Sequence, residues 1–374
     1  MAKIVYIADV CKEIFAGGDV PKSALSYEKT AEYNVPIFSN GEKNCGLYGY
    51  TNNARVKEPS ITVSARGTIG YTAIRTEPFV PVVRLITLTP KSEVIDLDYL
   101  FYATQNYKFE GSGTSIPQLT VPILKKYKFP LPEMSHQKAI AVKFEKLDQL
   151  ISLRKQQLAK LDELVKARFV EMFGDDIYPK VKVSRVCDFI TKGTTPPNNL
   201  ISEKYSSDKV PYLKVYNLSF TGKLLFDTAP QYVPENIHNG VLARSKVYPN
   251  DVLMNIVGPP LGKFALVTDE FSEWNINQAI AIFRAKEKVN PKYLLFALMQ
   301  PEVLKPFLRQ AVGIRQLNLS LAQCRDLEIP LPPLSLQSEF AAFVERVDQQ
   351  KQTVQQSFEK LELMKKALMQ EYFG

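Results

Sequence analysis

Phe129-Pro130-Leu131-Pro132, followed by a long run that closes on Glu171-Met172-Phe173-Gly174, returns 200 positions later as Ile329-Pro330-Leu331-Pro332 and Glu371-Tyr372-Phe373-Gly374. The two 46-residue stretches align without a gap and share 17 identities, so the chain reads as two copies of one unit.

Within each copy the apolar residues step by alternating fours and threes, the seam of a helix packed along another helix. The first seam reads Ile140, Phe144, Leu147, Ile151, Arg154, Leu158, Leu161, Val165, Arg168, Met172. The second reads Phe340, Val344, Val347, Lys351, Val354, Phe358, Leu361, Lys365, Leu368, Tyr372. Cations interrupt both seams, either fixing register or snorkelling out at the edge. Ser135 and Ser335 follow the prolines as candidate N-caps, and each run ends at glycine. The pattern predicts rods of about 57 Å from roughly 38 residues each.

The rest of the chain divides around these helices. Residues 1–134 form a first globular domain and 175–334 a second, with helices over 135–174 and 335–374. Val10-Cys11, Ile14, Gly17 and Pro21 recur 176 positions later as Val186-Cys187, Ile190, Gly193 and Pro197. By Gly113 and Gly313 the offset has grown to 200, so the second domain is longer by 24 residues in its middle. Two copies that keep a frame and change an interior surface place specificity in that surface.

Both domains read as mixed α/β with short strands. Ser60-Ile61-Thr62-Val63-Ser64 and Arg66-Gly67-Thr68-Ile69-Gly70-Tyr71 read as a strand, a glycine turn and a second strand. Asp251 to Val257 and Gly258 to Lys263 play the same part in the second copy. Asp98 to Tyr102 and Pro291 to Phe296 open short helices, and Gly113 to Leu119 and Gly313 to Leu319 read as polar loops. The fold class is therefore α/β: two mixed domains joined by two long antiparallel coiled-coil helices, an internal pseudo-two-fold duplication.

Composition bounds the function. The chain has 374 residues, 45% hydrophobic, long enough for two cores. No apolar run approaches a membrane span and no secretory leader is evident at Met1, so the expected compartment is the cytoplasm. The four cysteines have no metal-site or disulfide spacing. Net charge is +8, divided as +2, +3, +4 and −1 over the four segments in chain order, which favours an anionic partner.

Catalytic motifs are not found. Gly258 to Lys263 lacks the spacing and the Ser/Thr of a Walker loop. His136 and His238 have no carboxylate or thiol at ligand spacing and read as surface or capping residues. A recognition or assembly role is favoured over an enzyme, and no metal site is expected.

The segment from Arg154 to Gly174 resembles the central repeat of the DNA-specificity (S) subunits of type I restriction-modification systems. Pro330-Leu331-Pro332-Pro333-Leu334 and Asn275-Ile276-Asn277-Gln278-Ala279-Ile280 share the resemblance. It implies that each domain is a target-recognition domain reading one half of an interrupted double-stranded DNA site, while the helices set the spacer and dock two methyltransferase (M) subunits. It further implies restriction (R) subunits in the full complex. S-adenosylmethionine and ATP with magnesium belong to those partners, and no cofactor is expected in this chain.

Base reading needs paired donors or acceptors at loop positions. In the first domain the candidates are Arg66, Thr68, Ser115 and Gln118; in the second, Lys214, Tyr216, Asn217, Lys263, Arg315, Gln316 and Asn318. Any of these could hold phosphate instead. Two other readings stay open: a structural adaptor that joins proteins through its helices without reading DNA, and a nuclease or methyltransferase in its own right.

Overall fold

The computed structural model describes residues 3–107, 118–174, 177–313 and 317–374. The chain divides into two compact units, Met1–Leu158 with Thr353–Gly374, and Ala159–Gln352. Each unit holds one mixed α/β domain together with part of each long helix.

The first unit is built on an antiparallel sheet in the order Cys11–Ala16, Ile86–Pro90, Ser60–Val63, Thr72–Arg75. Its two central strands are buried along their whole length, so their β-branched and apolar side chains fill the space on both faces. The polar atoms this encloses pair with each other, as Ser60 and Thr89 do through their hydroxyls at 2.9 Å. A smaller sheet, Leu47–Thr51, Val35–Phe38 and Val80–Pro81, carries one parallel pairing, Ile37 with Val80. Lys3–Tyr6 pairs with Lys128–Leu131 and so ties the start of the domain to the strand that leads into the first long helix.

The second unit repeats this plan. Its main sheet runs Cys187–Lys192, Ile280–Ala285, Val252–Asn255, Phe264–Leu266. Its smaller sheet runs Tyr232–Pro234, Lys209–Leu213, Trp274–Ile276, Lys246–Val247 around a core centred on Trp274. Lys180–Lys182 pairs with Glu328–Pro330. Much of the extra length lies between Leu213 and Val252, where the second unit builds a turn, the short helix Glu235–Asn239 and an added edge strand.

The expected short helices form over Leu97–Gln105 and Pro291–Met299, capped by Asp96 and Asn290. Each sends a tyrosine to the chain just ahead of a long helix. Tyr99 donates its hydroxyl to Pro130 O and Tyr293 to Pro330 O, both at 2.7 Å.

The long helices are Met134–Phe173 and Leu334–Phe373, 40 residues each. They start one residue before Ser135 and Ser335, so those serines lie inside the first turn rather than capping it. The carbonyls of Glu133 and Pro333 take the first helical bonds. Within the first unit Phe144 meets Tyr372, Asp148 meets Lys365, and Arg154 meets Ser357, an antiparallel pairing. Within the second, Asp162 meets Lys351 and Phe169 meets Phe340, again antiparallel.

Two details of the seam differ from the heptad reading. Phe169, Phe173 and Phe373, off the predicted seam, are buried, whereas Arg168 is only half-buried at its edge. A straight helix drifts away from a seven-residue repeat, so near the helix ends its buried face turns toward the domain core. Phe373 packs on Tyr99 and Phe173 on Tyr293, closing each core with the last aromatic of a helix. The seam cations reach across to the other helix: Lys365 Nζ lies 2.6 Å from Asp148, Lys351 Nζ 2.5 Å from Asp162, and Arg168 3.1 Å from Glu339.

Candidate nucleic-acid interface

In the first domain residues 64–71 form the connection that the sequence suggested would already begin the second strand. Ser64 N donates to Tyr71 O and Gly70 N to Ser64 O, closing a loop before the strand at Thr72. Gly67 occupies the tip at φ +70°, a left-handed conformation that glycine adopts without strain. Arg66 and Thr68 are therefore exposed on a hairpin loop. Gln118 sits beside them: its Oε1 accepts from Arg66 Nε at 3.1 Å and Nη2 at 2.8 Å, while Leu119 N donates to Ala65 O. Arg66, Gln118 and Arg84 line a cavity of about 280 Å³. Ser115 lies outside the described residues.

The second domain builds the equivalent place with different side chains. Asn255 N donates to Lys263 O, closing the matching loop, and Leu319 N donates to Ile256 O as Leu119 N does to Ala65 O. Asn318 thus stands where Gln118 stands, paired with Val257 and exposed. Lys263 is half-buried, its ammonium over the exposed ring of Phe220 at 5.8 Å. Ser219 and Phe264 exchange backbone bonds, which sets the 214–220 turn against this loop.

That turn carries Lys214, Tyr216 and Asn217. Tyr216 is exposed, and partial burial raises its phenol above the ordinary range. Asn217 is fully buried. Its Oδ1 accepts from Lys214 N and its Nδ2 donates to Leu225 O, so it braces the turn and its amide does not reach the surface. Arg315 and Gln316 lie outside the described residues.

His136 is exposed as expected, but His238 is fully buried. Asn275 Nδ2 donates to its Nδ1 at 3.0 Å, so the ring proton sits on Nε2 and is donated to Glu273 Oε2 at 2.9 Å. Burial lowers the His238 pKa, partly offset by the Glu273 carboxylate. The histidine and the carboxylate are 35 positions apart in sequence, and only the fold brings them together. Among the described residues no three His, Cys, Asp or Glu side chains gather as a metal site, and no helix is long and apolar enough to cross a membrane.

Sequence reasoning missed Arg84, Asn40 and Phe220. Arg84 follows Pro81-Val82-Val83, which looks like a continuing strand, and its exposure depends on a left-handed turn that tertiary contacts impose.

A family model for the type I restriction modification DNA specificity domain matches residues 2–163 and 178–363. The chain belongs to this family. The two matched segments are the two copies of the specificity domain that the duplication implies. Among similar proteins, the putative type I specificity subunit S.MpnORF507P of Mycoplasma pneumoniae is 36% identical over 172 residues, 43% of this chain and 47% of that protein. S.MpnORF89P of the same organism is 36% identical over 167 residues, 42% and 49% of the two chains. The chain thus aligns with about half the length of these relatives. The S subunit of a type I restriction-modification system from M. genitalium shares the fold at a TM-score of 0.59 and 16% identity, covering 100% of this chain and 96% of that one. A chain from a structure of type I R-M complex assembly and conformational transition gives 0.61 at 16% identity, covering 99% and 97%.

Proposed function

We propose that this specificity-domain protein is the non-catalytic DNA-specificity subunit of a type I restriction-modification complex. Each recognition domain reads one half of a bipartite double-stranded site, and the long helices set the spacer and dock two methyltransferase subunits. Restriction subunits complete the complex, which acts in the cytoplasm. S-adenosylmethionine and ATP with magnesium are used by the partners.

The observation that carries this reading is the shared loop. At one equivalent place, each domain presents hydrogen-bonding side chains: exposed Arg66 and Thr68 with half-buried Gln118 in one, exposed Asn318 and half-buried Lys263 in the other. The backbone frame is common and the side chains differ, as expected of two readers of different half-sites. A net charge of +8 supplies sequence-independent attraction to phosphate.

The test is genome-wide mapping of methylated adenines in cells carrying the chain and its methyltransferase, with and without the chain. A two-part asymmetric motif that vanishes with the chain is expected. Methylation independent of the chain would reject the reading and favour an adaptor.

A further inference from the structure

We propose that Arg66 reads a guanine in the half-site of the first recognition domain, positioned by Gln118, with Arg84, which lines the same cavity, gripping a phosphate. This rests on the DNA-reading function proposed above.

The argument begins with which guanidinium protons are spoken for. Arginine presents five N–H donors in a planar fork. Gln118 Oε1 takes Nε–H and one Nη2–H, at 3.1 and 2.8 Å. The far edge, Nη1 with the other Nη2 proton, keeps two parallel donors. Two parallel donors match guanine O6 and N7, whereas adenine presents a donor at N6 in the same groove. Arg66 is exposed yet held on one side, which lessens the rotamer freedom it would lose on binding. Gln118 is thereby a positioning residue.

The second observation is independent of the first. Val83 and Arg84 both lie in the left-handed region, at φ +52° and +66°, the first of them β-branched. Such strain persists only where the surroundings impose it, and it clusters at functional sites. Here Val83 N donates to Gly18 O at 2.8 Å, Arg84 N to Gly17 O at 3.2 Å, and Asn40 Nδ2 to Val83 O at 2.6 Å. The same Asn40 accepts the amide of Ala65 through Oδ1 at 2.7 Å. One half-buried side-chain amide therefore holds both arginine-bearing loops at the 280 Å³ cavity, whose lining includes the buried Leu119 and Ile86. Two cations lining one cavity suit a nucleotide, with a base edge at one and a phosphate at the other.

Among the described residues the second domain lacks this arrangement, because Val257 replaces Arg66 and Asn318 replaces Gln118 in the equivalent pairing. The proposed guanine site is assigned to the first half-site.

The test uses the full chain with its methyltransferase. Methylation mapping gives the motif, and competition with single-base duplex variants over a salt series gives preferences and salt slopes. Arg66→Ala is expected to lower discrimination at one G·C pair of the first half-site by roughly tenfold to a hundredfold, leaving the second half unchanged. Gln118→Leu should lose part of that preference and Gln118→Glu retain it, with thermal melting alike in both. Arg84→Ala should weaken binding to all duplexes alike and reduce the slope of log K against log salt by about one. The proposal is overturned by a first half-site without guanine, by Arg66→Ala weakening every sequence equally, or by Arg84→Ala changing base preference. In each of these cases the wild-type motif leaves the DNA-reading function standing; a wild-type chain with no motif removes both.

Discussion

The side-chain carbonyl of Gln337 accepts the backbone amide of Asn290 over 2.9 Å. Its NH₂ group donates to Pro332 O at 2.8 Å, so one fully buried amide in the first turns of a long helix latches the cap of a neighbouring helix. Gln137 does the same in the first unit, with Asp96 N and Pro132 O each at 2.9 Å. Gln337→Leu strands a buried amide and a carbonyl and should cost about 1–3 kcal/mol. A lower urea midpoint at unchanged m for the affected unit is the expected result, with Gln137→Leu matching it in the first unit.

The His238 cluster gives the second unit a pH dependence of defined sign. Burial depresses the His238 pKa in the folded protein below its ordinary value of 6.5. Between the folded value and 6.5 the unfolded chain binds more protons, so stability is full above about 6.5 and falls as pH drops through the folded pKa. Glu273, held below its ordinary 4.5 by His238 and Lys246, adds a loss in the same direction at lower pH. Glu235 also faces the ring and opposes the depression. His238→Gln should flatten melting temperature against pH below about 6.5, where the depressed His238 pKa makes stability fall. An unchanged slope would place the dependence elsewhere.

In the seam the Lys365–Asp148 pair is 23% and 38% exposed, so solvent screens it and its worth is about 0.5 kcal/mol. Lys365→Leu should change stability by less than about 1 kcal/mol and weaken its dependence on salt. Asp148→Ala should cost more, because Asp148 also accepts the Tyr102 hydroxyl and its loss leaves Lys365 unpaired at the seam. Comparing the two variants in guanidinium-free thermal melts at low and high salt decides the order.

Glycines separate packing from conformation. A Cβ on Gly193 would stand 2.2 Å from the carbonyl oxygens of Asn277 and Ile276, so Gly193→Ala forces backbone apart and should cost more than about 2 kcal/mol. Gly67 has open space around it and only its φ of +70° to preserve, so Gly67→Ala should cost about 1 kcal/mol. Calorimetric melting of the two variants tests the contrast.

The duplication and the long helices were legible because periodicity and repetition are properties of the sequence alone. Phe144, Val165, Phe340 and Val344 sit on the buried face the pattern assigns. Where local pattern and tertiary contact disagree, the reading drifted. Asn217 has the side chain of a base reader and the burial of a brace, and nothing in Lys214-Val215-Tyr216-Asn217 reveals that Leu225 will need its amide. His238 and Glu273 meet only across folded strands. Arg84 faces the cavity because Gly17, Gly18 and Asn40 hold a left-handed turn, and each of these partners is more than 40 positions away.

The way each unit is assembled from two separated stretches of chain bears on synthesis. A ribosome that has delivered residues 1–158 has made the whole first α/β domain, yet the aromatic that closes its core on Tyr99 and Phe144 is Phe373. Until that residue emerges, Phe144 and Tyr99 face an open side. Of the two domains, the one translated earlier is finished later, and a nascent chain stalled between Gln352 and Phe373 exposes apolar surface to chaperones in the first unit while the second unit, complete at Gln352, is already closed.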